Sequence, residues 1–411
     1  MLFGSSGIRQ QFSTSLLETA MKVGMVLGSE HDEILIGSDT QKSSDPIAHA
    51  VIAGASSMGS RVFSSGIVPT PVVAYGAKHH NVVGVMVTAS HNGGEYGGIK
   101  LFNPDSSAFN KKQQYHIEYM LNKKMKANPK NCDFNVVWDR DLYIDHVIGD
   151  FYTTEFPFVN PLIDTANGTG RQVTPELIPS AFCVTRGRPS EPNEVNTYDI
   201  PQIMMRESRN LAVLHDEDAD RMMAYDEQYE YISGDHLLML FMMYMDVKHM
   251  VTTYDASMAL NDIATVKRTP VGDSYVSDAI KSWGEFGGEP SGAMIFPEHS
   301  LCPDGPYAAL KLCEMANEWN LHEIIDGMPK YTMLRDSFFC PNAHAILHNI
   351  DPNVIPTDGY YDSNSFGWML IRASGTELKL RITVEGYTKE NAKHLMDVAK
   401  YKIRQNKKKM G

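Results

Sequence analysis

Long hydrophobic runs are missing from this chain. The longest, "HLLMLFMMYM" at 236–245, is about half of the roughly 18 apolar residues a membrane span needs, and it reads as a Met-rich core helix. No apolar leader is present near the N-terminus either, because Arg9 is followed at once by the polar "QQFSTS", so no signal peptide is expected. Cysteine is sparse: Cys132, Cys183, Cys302, Cys313 and Cys340 are odd in number and without CxxC spacing, which indicates neither a disulfide framework nor a zinc site. A reducing cytoplasm fits that usage. Positive charge is in deficit, with 37 Lys and Arg against 50 Asp and Glu for a net charge of −13, and non-specific nucleic-acid binding is disfavoured accordingly. The one dense basic cluster, the terminal "KYKIRQNKKKMG", reads as a solvated helix end. Also lacking is any G-K-[ST], which excludes a P-loop kinase, and "ANGTG" at 166–170 has Val173 where a dinucleotide loop needs its third glycine.

What is present is a chain of 411 residues, too long for one hydrophobic core, with an ordinary 43% of hydrophobic residues. Strand-like runs "EILIGSD" (33–39), "VVGVMV" (82–87), "VNPLIDT" (159–165), "NLAVLHD" (210–216), "HMVTTYD" (249–255) and "SGAMIF" (291–296) alternate with helical segments, as in βαβ units. The expected fold is α/β: three similar units with mixed or parallel sheets at 1–150, 151–233 and 234–332, around a shared cleft. The last stretch, 333–411, differs. Two strands around a tight turn in "GWMLIRASGTELKLRITVEG" and a following helix make it α+β.

Four stretches carry chemistry. "VTASHNGGEYGGIKLF" (87–102) runs from a buried strand into a small-residue loop, placing Ser90 and its neighbour His91 at a strand's carboxyl end, where α/β proteins keep their reactive groups. In "LAVLHDEDADRMM" (211–223), Asp216, Asp218 and Asp220 alternate; an extended loop would turn all three to one side, and carboxylates held that close call for a hard cation. "EFGGEPSGAMIFPE" (285–298) offers Glu289 and Ser291, a carboxylate and a hydroxyl suited to sugar hydroxyls. "RASGTELKLR" (372–381) sets small residues between Arg372 and Arg381, a combination that suits phosphate.

Together with "FGSSGIRQ" (3–10), and in this order along the chain, these stretches resemble the five signatures of the α-D-phosphohexomutase family, which interconverts sugar 6-phosphates and 1-phosphates. "IGSDTQKSS" (36–44), "PTP" (69–71), "DTANGTG" (164–170) and "TPVGDSYV" (269–276) are further echoes. The resemblance implies four domains and a role for each motif. Ser90 would be the phosphoserine, and Asp216, Asp218 and Asp220 would hold Mg²⁺ with it. Arg221 would anchor the same region, while Arg9 and Lys100 would flank the transferred phosphoryl group. Glu289 and Ser291 would grip sugar hydroxyls. Arg372, Ser374, Gly375, Thr376 and Arg381 would hold the other phosphate. A cytoplasmic monomer or homodimer acting on a phosphosugar, without nucleic-acid or membrane partners, is the implied setting. The archaeal-like "GGEPSGA" leans toward glucosamine phosphate ahead of mannose and glucose phosphates.

Several positions depart from the family pattern: Gln41 in place of arginine, Gly93 and Leu378 in place of proline, Gly97 in place of asparagine, Glu217 in place of glycine and Ala293 in place of histidine. The rival reading of the aspartate motif is a haloacid-dehalogenase-like phosphatase with Asp216 as nucleophile; Asp220 falls where that motif wants Thr or Val, and Ser90 is left unexplained. A sugar-phosphate sensor without turnover is a third reading.

Overall fold

The computed structural model describes residues 2–4, 6–128, 134–185, 187–354, 359–373 and 378–408. Its strands form four sheets. The first holds β1 (Ile8–Gln11), β2 (Glu33–Ser38), β3 (Arg61–Ile67), β4 (Val83–Val87), β5 (Tyr96–Phe102) and β6 (Phe134–Val136) in the order β1-β5-β4-β2-β3-β6. The second holds β7 (Pro161–Asp164), β8 (Phe182–Val184), β9 (Leu211–His215), β10 (Met222–Tyr225) and β11 (Tyr231–Ile232) in the order β11-β10-β9-β7-β8. The third holds β12 (His249–Thr253), β13 (Thr265–Thr269), β14 (Phe286–Gly288) and β15 (Met294–Ile295) in the order β13-β12-β14-β15.

A common plan lies inside these three sheets. The runs β3-β2-β4-β5, β8-β7-β9-β10 and β13-β12-β14-β15 each make two parallel pairings and then one antiparallel pairing. The antiparallel step is where each chemistry-bearing loop sits: 88–95 between β4 and β5, 216–221 between β9 and β10, and 289–293 between β14 and β15. The chain therefore places three loops by one topological device, although their sequences share little. "SGAMIF" contributes a strand of only two residues, because Glu289 to Ala293 close a tight turn through the Glu289 N–H to Ala293 carbonyl bond of 2.8 Å.

The fourth sheet is antiparallel throughout: β16 (Thr332–Phe339), β17 (Tyr360–Asn364), β18 (Gly367–Ala373) and β19 (Lys379–Gly386), in the order β16-β19-β18-β17. Alternation divides its faces. Leu380, Ile382 and Val384 of β19 join Met369 and Ile371 of β18 in a core completed by the C-terminal helix Lys389–Lys408, while Arg381 and Thr383 point the other way.

Packing separates this sheet from the rest. Leu35 and Met86 of the first sheet, Leu162 and Val213 of the second and Phe286 of the third belong to one continuous apolar core. The fourth sheet's core is a cluster of its own. It is tied to the third unit by a buried carboxylate: Glu385 accepts from Ser257 Oγ, the Met258 N–H and Trp368 Nε1 at 2.6–2.8 Å.

Candidate active site

After β4 the backbone turns sharply, and Ser90 takes φ +53°, a left-handed conformation costly for a residue with a side chain. The turn is held from two sides: the Ser90 N–H donates to Thr88 Oγ1 at 2.7 Å, and Gln41 Nε2 donates to the Ser90 carbonyl at 3.2 Å. Ser90 is only 1% exposed. Its hydroxyl donates to Asp216 Oδ2 at 3.0 Å and lies 3.3 Å from His91 Nδ1. His91 sits among cations, and Arg221, burial and Arg9 together drive its pKa down to about 2, so the ring is neutral near pH 7.

The aspartate loop corrects one expectation. Residues 216–221 do not run extended; they turn, with Ala219 at φ +54° and its N–H on the Asp216 carbonyl at 3.3 Å. The turn still converges the carboxylates: one oxygen from each of Asp216, Asp218 and Asp220 lies within 4.8 Å of the others, and all three residues are buried. "ANGTG", which binds no cofactor in the sequence reading, cradles this turn. A Cβ on Gly168 would stand 2.3 Å from the Glu217 carbonyl oxygen, which accepts the Thr169 N–H at 2.7 Å.

Charge in this cluster is shared unevenly. Lys100 Nζ bonds Asp218 Oδ2 at 2.7 Å and also bonds Asp220 Oδ2, while Thr70 Oγ1 donates to Asp218 Oδ2 at 2.7 Å. Burial alone would raise the Asp218 carboxyl, but Lys100 and Thr70 outweigh it and hold Asp218 well below the usual range. Burial and then the neighbouring carboxylates push Asp216 and Asp220 up. Asp218 Oδ1 and Asp220 Oδ1 remain buried without a hydrogen-bond partner. Such orphaned oxygens are costly unless a cation takes them, and an all-oxygen set suits a hard one. The residues present therefore fit a metal ion.

Arg9 and Lys100 approach from adjacent strands, since β1 pairs with β5. Arg9 Nη1 donates to Asn92 Oδ1 at 3.1 Å, next to the serine turn. Arg221 closes the other side, its Nε 3.8 Å from Asp216 Oδ2 and 4.0 Å from Asp220 Oδ1. From Arg221 the chain leads directly to the sugar-loop candidate: the backbones of Arg221 and Ala293 pair as an antiparallel bridge, and the Met222 N–H donates to the Gly292 carbonyl at 2.9 Å. Gly292 has φ +93° at this contact, and a Cβ there would meet the Met222 oxygen at 2.7 Å. Glu289 is buried and accepts the Gly272 N–H at 2.9 Å; burial, then Asp273 and Asp255, push its carboxyl up to about 8.

Ser291, whose Oγ has no hydrogen-bond partner, faces a cavity of about 650 Å³ that it shares with Arg372 and Arg381. Arg372 and Arg381 stand directly opposite each other on β18 and β19, which brings two guanidinium groups to one face of the sheet. Ser374, Gly375 and Thr376 lie outside the described residues. The structure thus gathers Arg9, Ser90, His91, Lys100, the three aspartates and Arg221 into one cluster. Glu289 and Ser291 join it to the arginine-lined cavity.

Models of the phosphoglucomutase/phosphomannomutase family match this chain in three parts: alpha/beta/alpha domain I at residues 1–128, alpha/beta/alpha domain III at 233–331 and the C-terminal domain at 345–399. A probable phosphoglucosamine mutase of Methanosarcina barkeri is 37% identical over 97% of this chain and 98% of its own length. The chain belongs to the phosphoglucomutase/phosphomannomutase family. A phosphoglucosamine mutase of Methanococcus maripaludis is 36% identical over 96% of both chains. The fold agrees as well: a family member from Burkholderia thailandensis superposes with a TM-score of 0.84 at 19% identity, covering 99% of this chain and 97% of that one. An Aspergillus fumigatus N-acetylphosphoglucosamine mutase, solved with GlcNAc-6P and magnesium, gives 0.63 at 14% identity, over 99% of this chain and 96% of that one. Nothing in these comparisons supports the aspartyl-nucleophile phosphatase.

Two departures from the family pattern touch each other. Gln41 Nε2 donates to Glu217 Oε2 at 3.3 Å, and Thr40 Oγ1 donates to Glu217 Oε1 at 2.9 Å. Glu217 needs no positive φ here, because Ala219 takes that conformation instead. Sequence reasoning missed Thr70, Arg335 and Lys379. Thr70 lies in the quoted "PTP", yet nothing local shows that it reaches Asp218, 148 positions away. Arg335 and Lys379 line the arginine cavity, and alternation along β16 and β19 was the signal that could have found them.

Proposed function

We propose that this chain is a phosphohexomutase that interconverts hexose 6-phosphates and hexose 1-phosphates through phosphorylated Ser90 and a bisphosphorylated sugar, with glucosamine phosphate as the preferred substrate. The observation carrying this reading is the Ser90 hydroxyl at 3.0 Å from Asp216, in a buried cluster with Asp218, Asp220 and Lys100. The relatives named phosphoglucosamine mutase support the choice of sugar. In this reading four units divide near residues 150, 233 and 332.

Phosphoryl transfer asks mainly for positioning and for neutralised charge on the moving oxygens. Asp216, Asp218 and Asp220 would hold Mg²⁺, which when bound supplies positive charge to the seryl phosphate. Arg9 and Lys100 add cations from the strands beside it. In the forward step the phosphorus–oxygen bond to Ser90 breaks as one forms to the sugar hydroxyl; the hydroxyl's proton passes into the lysine–aspartate cluster, which returns a proton to the released Ser90 Oγ. Glu289 and Ser291 orient the ring. Arg372 and Arg381, with the 374–376 turn between them, would hold the phosphate that is not moving. The bisphosphate then reverses within the cleft, and its other phosphate returns to Ser90.

A coupled assay of the purified protein against glucosamine, mannose, glucose and N-acetylglucosamine phosphates, with the matching 1,6-bisphosphate as activator, tests the reading. Fastest turnover is expected for glucosamine phosphate, with peptide mass spectrometry finding phosphate on Ser90. Binding without turnover, or phosphate on Asp216, would overturn it.

A further inference from the structure

A second group of metal-ligating side chains lies away from the aspartate loop. We propose that His146, Asp150 and His299 form a separate site for a borderline divalent ion of the Zn²⁺ class, joining the helix Asp139–Gly149 to the loop that follows β15.

His146 and Asp150 are one helical turn apart, at the end of that helix and at its cap, so their side chains share a face. His299 reaches them from the segment between β15 and the helix Gly305–Glu318. One donor atom from each of the three falls within 4.8 Å of the others. Asp150 Oδ2 is already 3.4 Å from His299 Nδ1 and 3.8 Å from His146 Nε2. Ligands about 2.0–2.2 Å from a tetrahedral ion stand roughly 3.3–3.6 Å apart, so small side-chain rotations would complete the geometry.

The burial of the site points to a ligand. His299 is 1% exposed, and its Nδ1 and His146 Nε2 both face Asp150 Oδ2, at 3.4 and 3.8 Å, neither as a well-formed hydrogen bond. His299 Nε2 faces Asp304 Oδ2 at 3.0 Å, a carboxylate–imidazole arrangement that would keep a proton on Nε2 once an ion replaces the proton that Nδ1 shares with Asp150. Asp304 is itself fixed, since Tyr143 Oη donates to its other oxygen at 2.7 Å. Asp150, a third exposed along its side chain, leaves an open side where water can complete four ligands. Two imidazoles and one carboxylate favour Zn²⁺ or Co²⁺ over Mg²⁺, whereas the all-carboxylate loop has the opposite preference.

Cobalt separates the two sites. Co²⁺ titrated into the full-length protein with excess Mg²⁺ should give one equivalent of the intense visible absorption of a tetrahedral ion, displaced by Zn²⁺. His146→Ala, and independently the surface change Asp150→Asn, should weaken that binding by about tenfold or more. Asp218→Asn should leave the spectrum unchanged, which keeps this test independent of the proposed mutase activity. No tetrahedral species, or a spectrum that survives both ligand variants in folded protein, would overturn the proposal.

Discussion

The two ends of the proposed cleft are built differently. At the serine end, loops from the first and second sheets are locked against each other by buried bonds of Ser90, Lys100 and Thr70 to the aspartates, over a core that runs without interruption through three sheets. At the arginine end, the groups proposed to bind phosphate project from one face of a separately packed sheet, joined to its neighbour through Glu385. The contrast teaches where rigidity is needed. Bond making tolerates little displacement, so its groups are fixed from several directions. A phosphate that must be held, released and held again is better met by a sheet with its own core.

Breaking the serine end should cost most. Ser90→Ala should lower kcat by at least three orders of magnitude, on the order expected for losing a covalent nucleophile, with an unchanged circular dichroism spectrum. Residual turnover above a hundredth of wild type would move the nucleophile elsewhere. Asp218→Asn comes next, because it removes a carboxylate that Lys100 and Thr70 both bind; a loss of roughly a hundredfold or more, and half-activation only at higher Mg²⁺ concentration, should appear in metal titrations.

Arg372→Ala sharpens the contrast from the other end. A held phosphate is bound alike in ground and transition states, so KM should rise about ten- to a hundredfold while kcat changes little, and the variant should depend more on added bisphosphate. A depressed kcat with normal KM would assign Arg372 to the reacting phosphate.

Glu289 lies where the two ends meet, and its effect is on stability with pH. Its buried carboxyl is raised from an ordinary 4.5 to about 8, so the folded protein keeps a proton that the unfolded chain has lost between those values. That contribution is full below about pH 4.5 and is lost as pH rises through about 8. Denaturation midpoints should fall over that window, and Glu289→Gln should flatten the slope; equal slopes in both proteins would count against a buried, protonated Glu289. The smallest effect is expected at Gln41, whose amide links the serine turn to Glu217 through bonds of 3.2–3.3 Å. Gln41→Ala should lower kcat only a few-fold, and Glu217→Ala should add little to it in the double variant, since both sever one bridge.

The aspartates were legible because their ligand chemistry lies within five consecutive residues, and the serine loop because small residues after an apolar strand have few other uses. Thr70, Arg335 and the Gln41–Glu217 contact were not, since each acts on a partner far away in the chain. The expected extended aspartate loop was a local inference that a local fact overturned: Ala219 takes a left-handed turn that alanine seldom adopts.

By itself the sequence determined the alternation of strands and helices, the kinds of side chain in each loop and the order of the motifs, because periodicity and composition are written locally. Only the tertiary structure decided that three loops with different chemistry occupy one topological position, that Lys100 rests between Asp218 and Asp220, and that His299 meets His146 and Asp150. Those pairings depend on packing between segments more than a hundred residues apart, and burial sets their charge states; neither is encoded in any short stretch of the chain.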